Sequence, residues 1–559
     1  MHDLADFRAA TRQGKTGLAL SGGGFRASLF HIGVLARLAE LDLLRNVDVI
    51  STVSGGSIIG AYYYLKVKEL LEGKRQDRLV PTHTAYIRIV HELETDFLRA
   101  VQKNMRMRTF LDRHKNARML REGYSPTERM AELYTEHFYA PIQGVEGNIF
   151  LKDLPIRAAC FPPQEDNVPY KIPQLILNAT ALNTGHLWQF TGSFVGEEVS
   201  RYERHYVEMS PLPKLYFHSL QLNPLQKARL HALTLGQAVA ASCCVPGLFV
   251  PLCLTDLHKT ESGKDITVRL VDGGVFDNQG LVSLFAEECT HIICSDASDL
   301  LKCEPNPSTQ LLNVAMRANE IMMDRIRNKI LDNLFTHRPG TYAFFHLGAD
   351  VGQNNFPHDP QQFVYALSHI RTDLDSFTDK EAYTLMYYGY CLSGEQFQNP
   401  ESPSSLWHFL AIQDFLKDEQ QRRELLKHLQ VGSKQLFKVF FLKKPLPYGI
   451  VITALLFPIS ITIFLLSLLP PLILSLLALG LLSVVAYSQN ARINRYLDKV
   501  AALRRARQRL AKALIPLGIP TLIGLTGAVV TWVHLNIFDR LFLHYGRVKS
   551  NTVIAKPKR

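Results

Sequence analysis

Gly17-Leu-Ala-Leu-Ser-Gly-Gly-Gly-Phe-Arg-Ala27 and Val47-Asp-Val-Ile-Ser-Thr-Val-Ser-Gly-Gly-Ser57 decide the fold of this chain. Leu18–Leu20 and Val47–Val53 are short apolar runs of the kind that form buried strands. Between them Leu29, Ile32, Gly33, Ala36 and Ala39 recur at helical spacing. The unit is strand–helix–strand, and its right-handed crossover brings both strand ends to one edge of a parallel sheet. Gly22–Gly24 and Ser54 therefore stand side by side. The expected fold class is α/β, with a mainly parallel central sheet flanked by helices.

That pairing suits acyl transfer. A serine on a tight strand-to-helix turn is placed to attack, and neighbouring backbone N–H groups receive the developing oxyanion. Gly55 and Gly56 leave room for the strained elbow. Gly22, Gly23 and Gly24 lack side chains, so their N–H groups can converge on one oxygen at the positive end of a helix. A nucleotide phosphate loop is the competing reading. Gly14-Lys15-Thr16 lacks the glycine that a P-loop needs five residues earlier, since position 9 is Ala. The dinucleotide fingerprint would end at Ala27, and no acidic residue closes the next strand. For a base the chain offers Asp272, which ends the apolar run Thr267-Val-Arg-Leu-Val-Asp272 and is followed by two glycines. An ordinary aspartate, with a pKa near 4, is a poor base for a hydroxyl; burial corrects this by raising the pKa.

Taken in order, these motifs resemble the patatin-like phospholipases. That family carries a Gly-Gly-Gly-x-Arg loop, a Gly-x-Ser-x-Gly elbow and an Asp-Gly-Gly/Ala motif, and works with a Ser–Asp dyad. Here they read Gly22-Gly23-Gly24-Phe25-Arg26, Thr52-Val53-Ser54-Gly55-Gly56 and Asp272-Gly273-Gly274. Asn178–Gly185 and Ala238–Gly247 look familial as well, and the resemblance covers roughly residues 15–400. Three positions depart from the pattern: Thr52 replaces the elbow's first glycine, Ala27 a frequent glycine, and Ser21 a frequent aspartate. The resemblance implies Ser54 as nucleophile and Asp272 as base. It implies Gly22, Gly23 and Gly24 as the oxyanion hole and Gly55 and Gly56 as elbow residues. Arg26 would order the loop or hold a lipid phosphate. The implied activity is that of a membrane-associated serine hydrolase releasing fatty acyl chains from phospholipid or other lipid esters. Two other functions share these residues. One is an acyltransferase using the same acyl-Ser54 intermediate. The other is a non-hydrolytic lipid-binding or scaffold protein, which Thr52 favours.

No cofactor or metal is expected. His31, His186, His291 and His369 show no ligand spacing, and the eight cysteines form no Cys-x-x-Cys pair. Cys243-Cys244 read as small core residues. Such cysteines, with no signal peptide at the N-terminus, point to a catalytic part facing a reducing cytosol.

The net charge of +11 is unevenly placed. Residues 443–559 carry 16 Lys/Arg against 2 Asp/Glu, which leaves about −3 on the rest. An anionic membrane surface, rather than nucleic acid, is the expected partner. Pro445–Ala491 contains no charged residue and exceeds the ~20 residues of one span, and Pro470-Pro471 divides it. The reading is a C-terminal α-helical membrane region, 445–538, with helices at about 448–469, 472–488 and 513–535 and a basic segment at 489–512. Before it come a catalytic domain at 1–400, with a helical insertion at about 66–140, and an amphipathic connector at 401–444; a basic tail, 539–559, follows. The expected location is a membrane, with the catalytic domain on the cytosolic face of a bacterial inner membrane.

Overall fold

The computed structural model describes residues 3–442 and 527–548, apart from 120–122, 144–146, 155–158, 162–169, 199–211, 261, 299–300, 302, 353–354, 357–359, 398–405 and 436. In chain order the strands are β1 (Thr16–Leu20), β2 (Val49–Val53), β3 (Ala159–Phe161), β4 (Tyr170–Ile172), β5 (Gln174–Ala181) and β6 (Leu187–Phe190). After these come β7 (Phe194–Glu198), β8 (Leu215–Tyr216), β9 (Leu252–Lys259), β10 (Asp265–Asp272), β11 (His291–Asp296) and β12 (Thr341–His346). Ten of them form one sheet ordered β12-β11-β1-β2-β5-β6-β7-β8, with the β9–β10 hairpin joined to β5. From β12 to β5 the pairing is parallel; β6 to β8 continue it antiparallel. Every residue of β1 and β2 is buried, as expected for parallel strands covered by helices on both faces.

The first crossover is the one the sequence implies. Helix Gly24–Glu40 leaves β1 and is buried from Gly24 to Ala39. It packs against helix Asp379–Gln396 at two glycines. A Cβ on Gly33 would lie 1.8 Å from the Met386 carbonyl oxygen, and one on Gly389 would lie 2.4 Å from that of Phe30. The helices cross backbone to backbone there, and any larger side chain would force them apart.

Strand β5 does most to position the site. It pairs in parallel with β2 up to Val53 opposite Asn178. Its last residues pair antiparallel with β10, ending at Asp272 opposite Ala179. Two strands thus run toward each other along one edge of β5 and stop one residue apart. Side chains of β5 fix both ends: Asn178 Nδ2 donates to the Thr52 carbonyl at 2.9 Å, and Thr180 Oγ1 donates to the Asp272 carbonyl at 3.0 Å.

Two compact units divide the chain: residues 1–105, 126–438 and 542–559, and residues 106–125 with 439–541. The segment expected as an insertion at 66–140 is therefore split. The helix after Ser54 runs on to Leu71, and Phe97 of helix His83–Val101 packs edge-on against Phe25 and Tyr62. The polar stretch expected as a connector also differs. Trp407, Phe409, Ile412, Leu416, Leu425 and Leu429 are buried, so it folds into the first unit. The start of the expected basic tail does likewise: Phe542 stacks on His428, and the Gly546 carbonyl accepts the Lys380 N–H at 3.0 Å. Residues 443–526, with the spans expected at 448–469 and 472–488 and the basic segment, lie outside the described residues. The end of the third stretch is helical through a π-turn at His534–Asp539. Among the described residues no helix is long and apolar enough to cross a membrane.

Candidate active site

Ser54 sits between β2 and helix Gly55–Leu71 with φ 49° and ψ −120°. That backbone is costly for any residue with a Cβ and is tolerated where the surroundings over-determine it. Here they do. A Cβ on Gly55 would lie 2.0 Å from the Gly24 carbonyl oxygen, and one on Gly56 would lie 2.2 Å from that of Leu20. The Gly56 N–H donates to the Ser21 carbonyl at 3.1 Å. The Ser54 N–H donates to Ser242 Oγ at 3.0 Å, which bonds Ser57 Oγ at 2.8 Å, which bonds Thr52 Oγ1 at 2.9 Å, which donates to the Ile176 carbonyl at 3.1 Å. The ends of this chain fix its direction, so each hydroxyl donates once and accepts once. Thr52, the departure from the usual elbow, is its last link. The room for its methyl group comes from Gly60, where a Cβ would lie 2.5 Å from Thr52 Cγ2.

The glycine loop lies against this elbow. A Cβ on Gly22 would be 3.2 Å from Ser54 Cβ and 2.3 Å from Asn278 Oδ1. Gly22 differs from its expected role, because its N–H already donates to the Asn278 carbonyl at 3.0 Å. The Gly23 and Gly24 N–H groups have no acceptor among the described residues. Gly23 (φ 134°) and Gly24 (φ 58°) take a backbone that glycine alone adopts readily. Gly24 is roofed by another loop, since a Cβ there would lie 2.7 Å from the Thr372 carbonyl carbon. The Asp373 carbonyl takes the Phe25 N–H at 3.1 Å. A buried ion cluster holds that loop. Arg371 bonds Asp375 and Glu381 at 2.6 Å each and the Gly432 carbonyl at 2.8 Å, while Lys438 bonds the other Asp375 oxygen at 2.6 Å.

Arg26 is buried, and its guanidinium donates to the carbonyls of Ser368, Ile370 and Ala297 at 2.8–3.1 Å. Of its two expected roles, this geometry is that of ordering the loop. His31 is also buried. Its Nε2–H donates to the Ser21 carbonyl at 3.0 Å, and Nδ1 accepts from Ser295 Oγ at 2.7 Å. Burial pushes its pKa down to about 4, so the ring is neutral and steadies the end of β1.

Asp272 Oδ1 accepts the Gly274 N–H at 2.7 Å. Oδ2 is buried, and among the described residues it closes no hydrogen bond of its own. Burial pushes the carboxyl pKa up to about 6; the Gly274 N–H, and less strongly the Ser54 hydroxyl, pull against that rise. Gly273 is needed because a Cβ there would meet the Asn178 carbonyl oxygen at 2.4 Å. Ser54, Asp272, Gly23, Gly24 and Arg26 line one cleft of about 370 Å³. One wall is apolar, with Cys243, Val245, Pro246, Leu248 and Phe249, and another is charged, with Glu304, Arg317, Glu320, Asp324 and Arg327. Cys243, read from sequence as plain core, faces Ser54, and burial keeps its thiol protonated.

The sequence reading missed Ser242 and the roof at Thr372–Asp373. A serine in an Ala/Ser/Cys run signals nothing by itself, and the roof contacts residues some 350 positions away. It also missed His91, Glu94 and His408, whose ligating atoms lie within 4.8 Å of one another. Their visible signal is His91-x-x-Glu94 on one helix face. Glu94 takes the N–H groups of His408 and Phe409, and none of the three lines the cleft.

Residues 18–284 match the model of the patatin-like phospholipase family. No curated protein matches the chain. Among solved structures, human GIVD cytosolic phospholipase A2 aligns at 13% identity and a TM-score of 0.36, over 71% of this chain and 62% of that one. Its complex with methyl gamma-linolenyl fluorophosphonate aligns at 16% identity and a TM-score of 0.33, over 76% and 64%. VipD from Legionella pneumophila aligns at 14% identity and a TM-score of 0.26, over 94% and 92%. The chain spans just under two thirds of the length of the human enzyme's chains.

Proposed function

We propose that this protein hydrolyses lipid esters through a Ser54–Asp272 dyad. The observation that carries the reading is the meeting of β2 and β10 on β5. It sets a strained serine beside a buried carboxylate whose second oxygen is uncommitted, in a cleft with two unspent glycine N–H groups. Asp272 Oδ2 takes the Ser54 proton as Oγ attacks the ester carbonyl. The Gly23 and Gly24 N–H groups hold the oxyanion. Collapse expels the alcohol, which leaves with the proton from Asp272. Asp272 then deprotonates a water that attacks the acyl-serine, releasing the fatty acid and restoring Ser54. The raised pKa supports the base role, because a carboxylate that holds its proton up to about pH 6 is a far better acceptor than an ordinary aspartate.

The apolar wall suits an acyl chain, which supports phospholipids or related esters as substrates. The uncharged stretch Pro445–Ala491 and its basic flanks support anchoring to an anionic membrane, with the catalytic unit on the cytosolic side. The test is fatty-acid release from mixed micelles by the full chain and by Ser54→Ala, with and without an added acceptor alcohol. Release lost with Ser54 and unaffected by the alcohol is the expected result. Acyl esters of the added alcohol in place of free fatty acid would indicate transfer instead.

A further inference from the structure

Helix Leu235–Ser242 is followed by Cys243 and Cys244, then by Val245-Pro-Gly-Leu-Phe-Val-Pro-Leu252, a run with no polar side chain. A soluble fold normally turns such a run inward. Here Leu248 is 69% exposed, Val250 52% and Val245 36%. Clusters of this kind mark contact surfaces, whereas single exposed apolar residues do not.

Part of the loop's backbone is bonded within the fold. The Val245 N–H bonds the Cys243 carbonyl, and those of Leu248 and Phe249 both bond the Val245 carbonyl at 3.1 Å. The Val250 carbonyl accepts from the Thr127 hydroxyl and the Cys244 thiol. Backbone that enters hydrocarbon must be bonded internally, because no water is present to do it. The turn meets that demand in part, which suits a tip that enters only the upper part of a bilayer.

The loop is also tied to the site. Its wall side lines the cleft down to Ser54. At its base Ser242 Oγ accepts the Ser54 N–H, and the Cys244 carbonyl accepts the Asp272 N–H at 2.8 Å.

We propose that Val245–Val250 is a membrane-inserting loop that seats the cleft mouth on a lipid bilayer. A bilayer is the occupant that fits, because the exposed apolar tip continues into the apolar wall. An acyl chain then passes from hydrocarbon to cleft without crossing water. The seating rests on the lipid-hydrolase reading above, yet it can fail or stand separately from it.

The test uses the full chain and vesicles of phosphatidylethanolamine and phosphatidylglycerol with brominated acyl chains. In the Ser54→Ala background, Leu248→Trp places an indole at the tip. Its added emission, relative to Ser54→Ala alone, should shift blue and be quenched by the brominated chains. No added quenching overturns the proposal. Separately, Val250→Asp should cut vesicle hydrolysis at least about tenfold while soluble short-chain ester hydrolysis stays within about twofold. Unchanged vesicle hydrolysis, or equal loss on both substrates, overturns it. Quenching without hydrolysis by the Ser54 protein would leave the docking loop standing and sink the hydrolase reading. Hydrolysis of vesicles and soluble ester without quenching would do the reverse.

Discussion

Replacing Asp272 by Asn should make the protein more stable and nearly inactive at once. The carboxyl is pushed from 3.8 up to about 6, chiefly by burial. Two pH units correspond to roughly 3 kcal/mol. Because the folded pKa lies above the unfolded one, the folded state holds the proton more tightly, and ionising Asp272 costs stability. That cost is absent below about pH 4, grows between pH 4 and 6, and is complete above pH 6. Asn keeps an oxygen for the Gly274 N–H and carries no charge. The variant should therefore gain up to about 3 kcal/mol at pH 7 and nothing at pH 4. Its activity on a soluble ester should fall by several orders of magnitude, about as when a triad member is removed. Thermal unfolding midpoints of both proteins from pH 4 to 7.5, read by circular dichroism, give the stability difference. A variant less stable than its parent at pH 7, or a gain independent of pH, would refute burial as the cause. A rate loss under tenfold would refute the base assignment.

Other outcomes follow from the same geometry. The kcat/KM for a soluble ester should drop about tenfold per pH unit below about 6, where Asp272 gains its proton, and a profile flat to pH 5 would exclude this base. Gly60→Ala should cost about 1–3 kcal/mol by overpacking Thr52 Cγ2, and Thr52→Ser, which lacks that methyl, should restore most of it in a double-mutant cycle. Ser242→Ala should cost about 1–3 kcal/mol by leaving the Ser54 N–H buried without its acceptor, and should lower kcat more than it raises KM. Chelation should leave soluble-ester activity intact, since among the described residues neither Ser54 nor Asp272 belongs to a cluster with ligand spacing.

The parts of the site that announce themselves in sequence are those with unusual local chemistry. Gly22–Gly24, Ser54-Gly55-Gly56 and Asp272-Gly273 are legible because glycines mark where backbones meet closely. The first crossover is legible from the spacing of Leu29, Ile32 and Ala36. The meeting of β2 and β10 on β5 is not, because strand order across more than two hundred residues leaves no periodic trace. Nor is the fate of the Gly22 N–H, which depends on where the Asn278 carbonyl arrives. The stretch 401–444 looks like an amphipathic connector because its charges are frequent. One of them, Lys438, is buried and paired with Asp375, and a composition argument misreads a buried charge that has found its partner. Thr52 taken alone suggests a distorted elbow; with Gly60, Ser57 and Ser242 it closes a hydrogen-bond chain.

The most direct measurement is labelling of the full chain with a fluorophosphonate probe, followed by mass spectrometry of the modified peptide. An activated serine beside an oxyanion hole attacks phosphorus as it would an ester carbonyl. One adduct, on Ser54, is predicted, weakened below pH 6 and lost in Asp272→Asn. No adduct on folded protein, or an adduct on another serine with Ser54 untouched, would contradict the account.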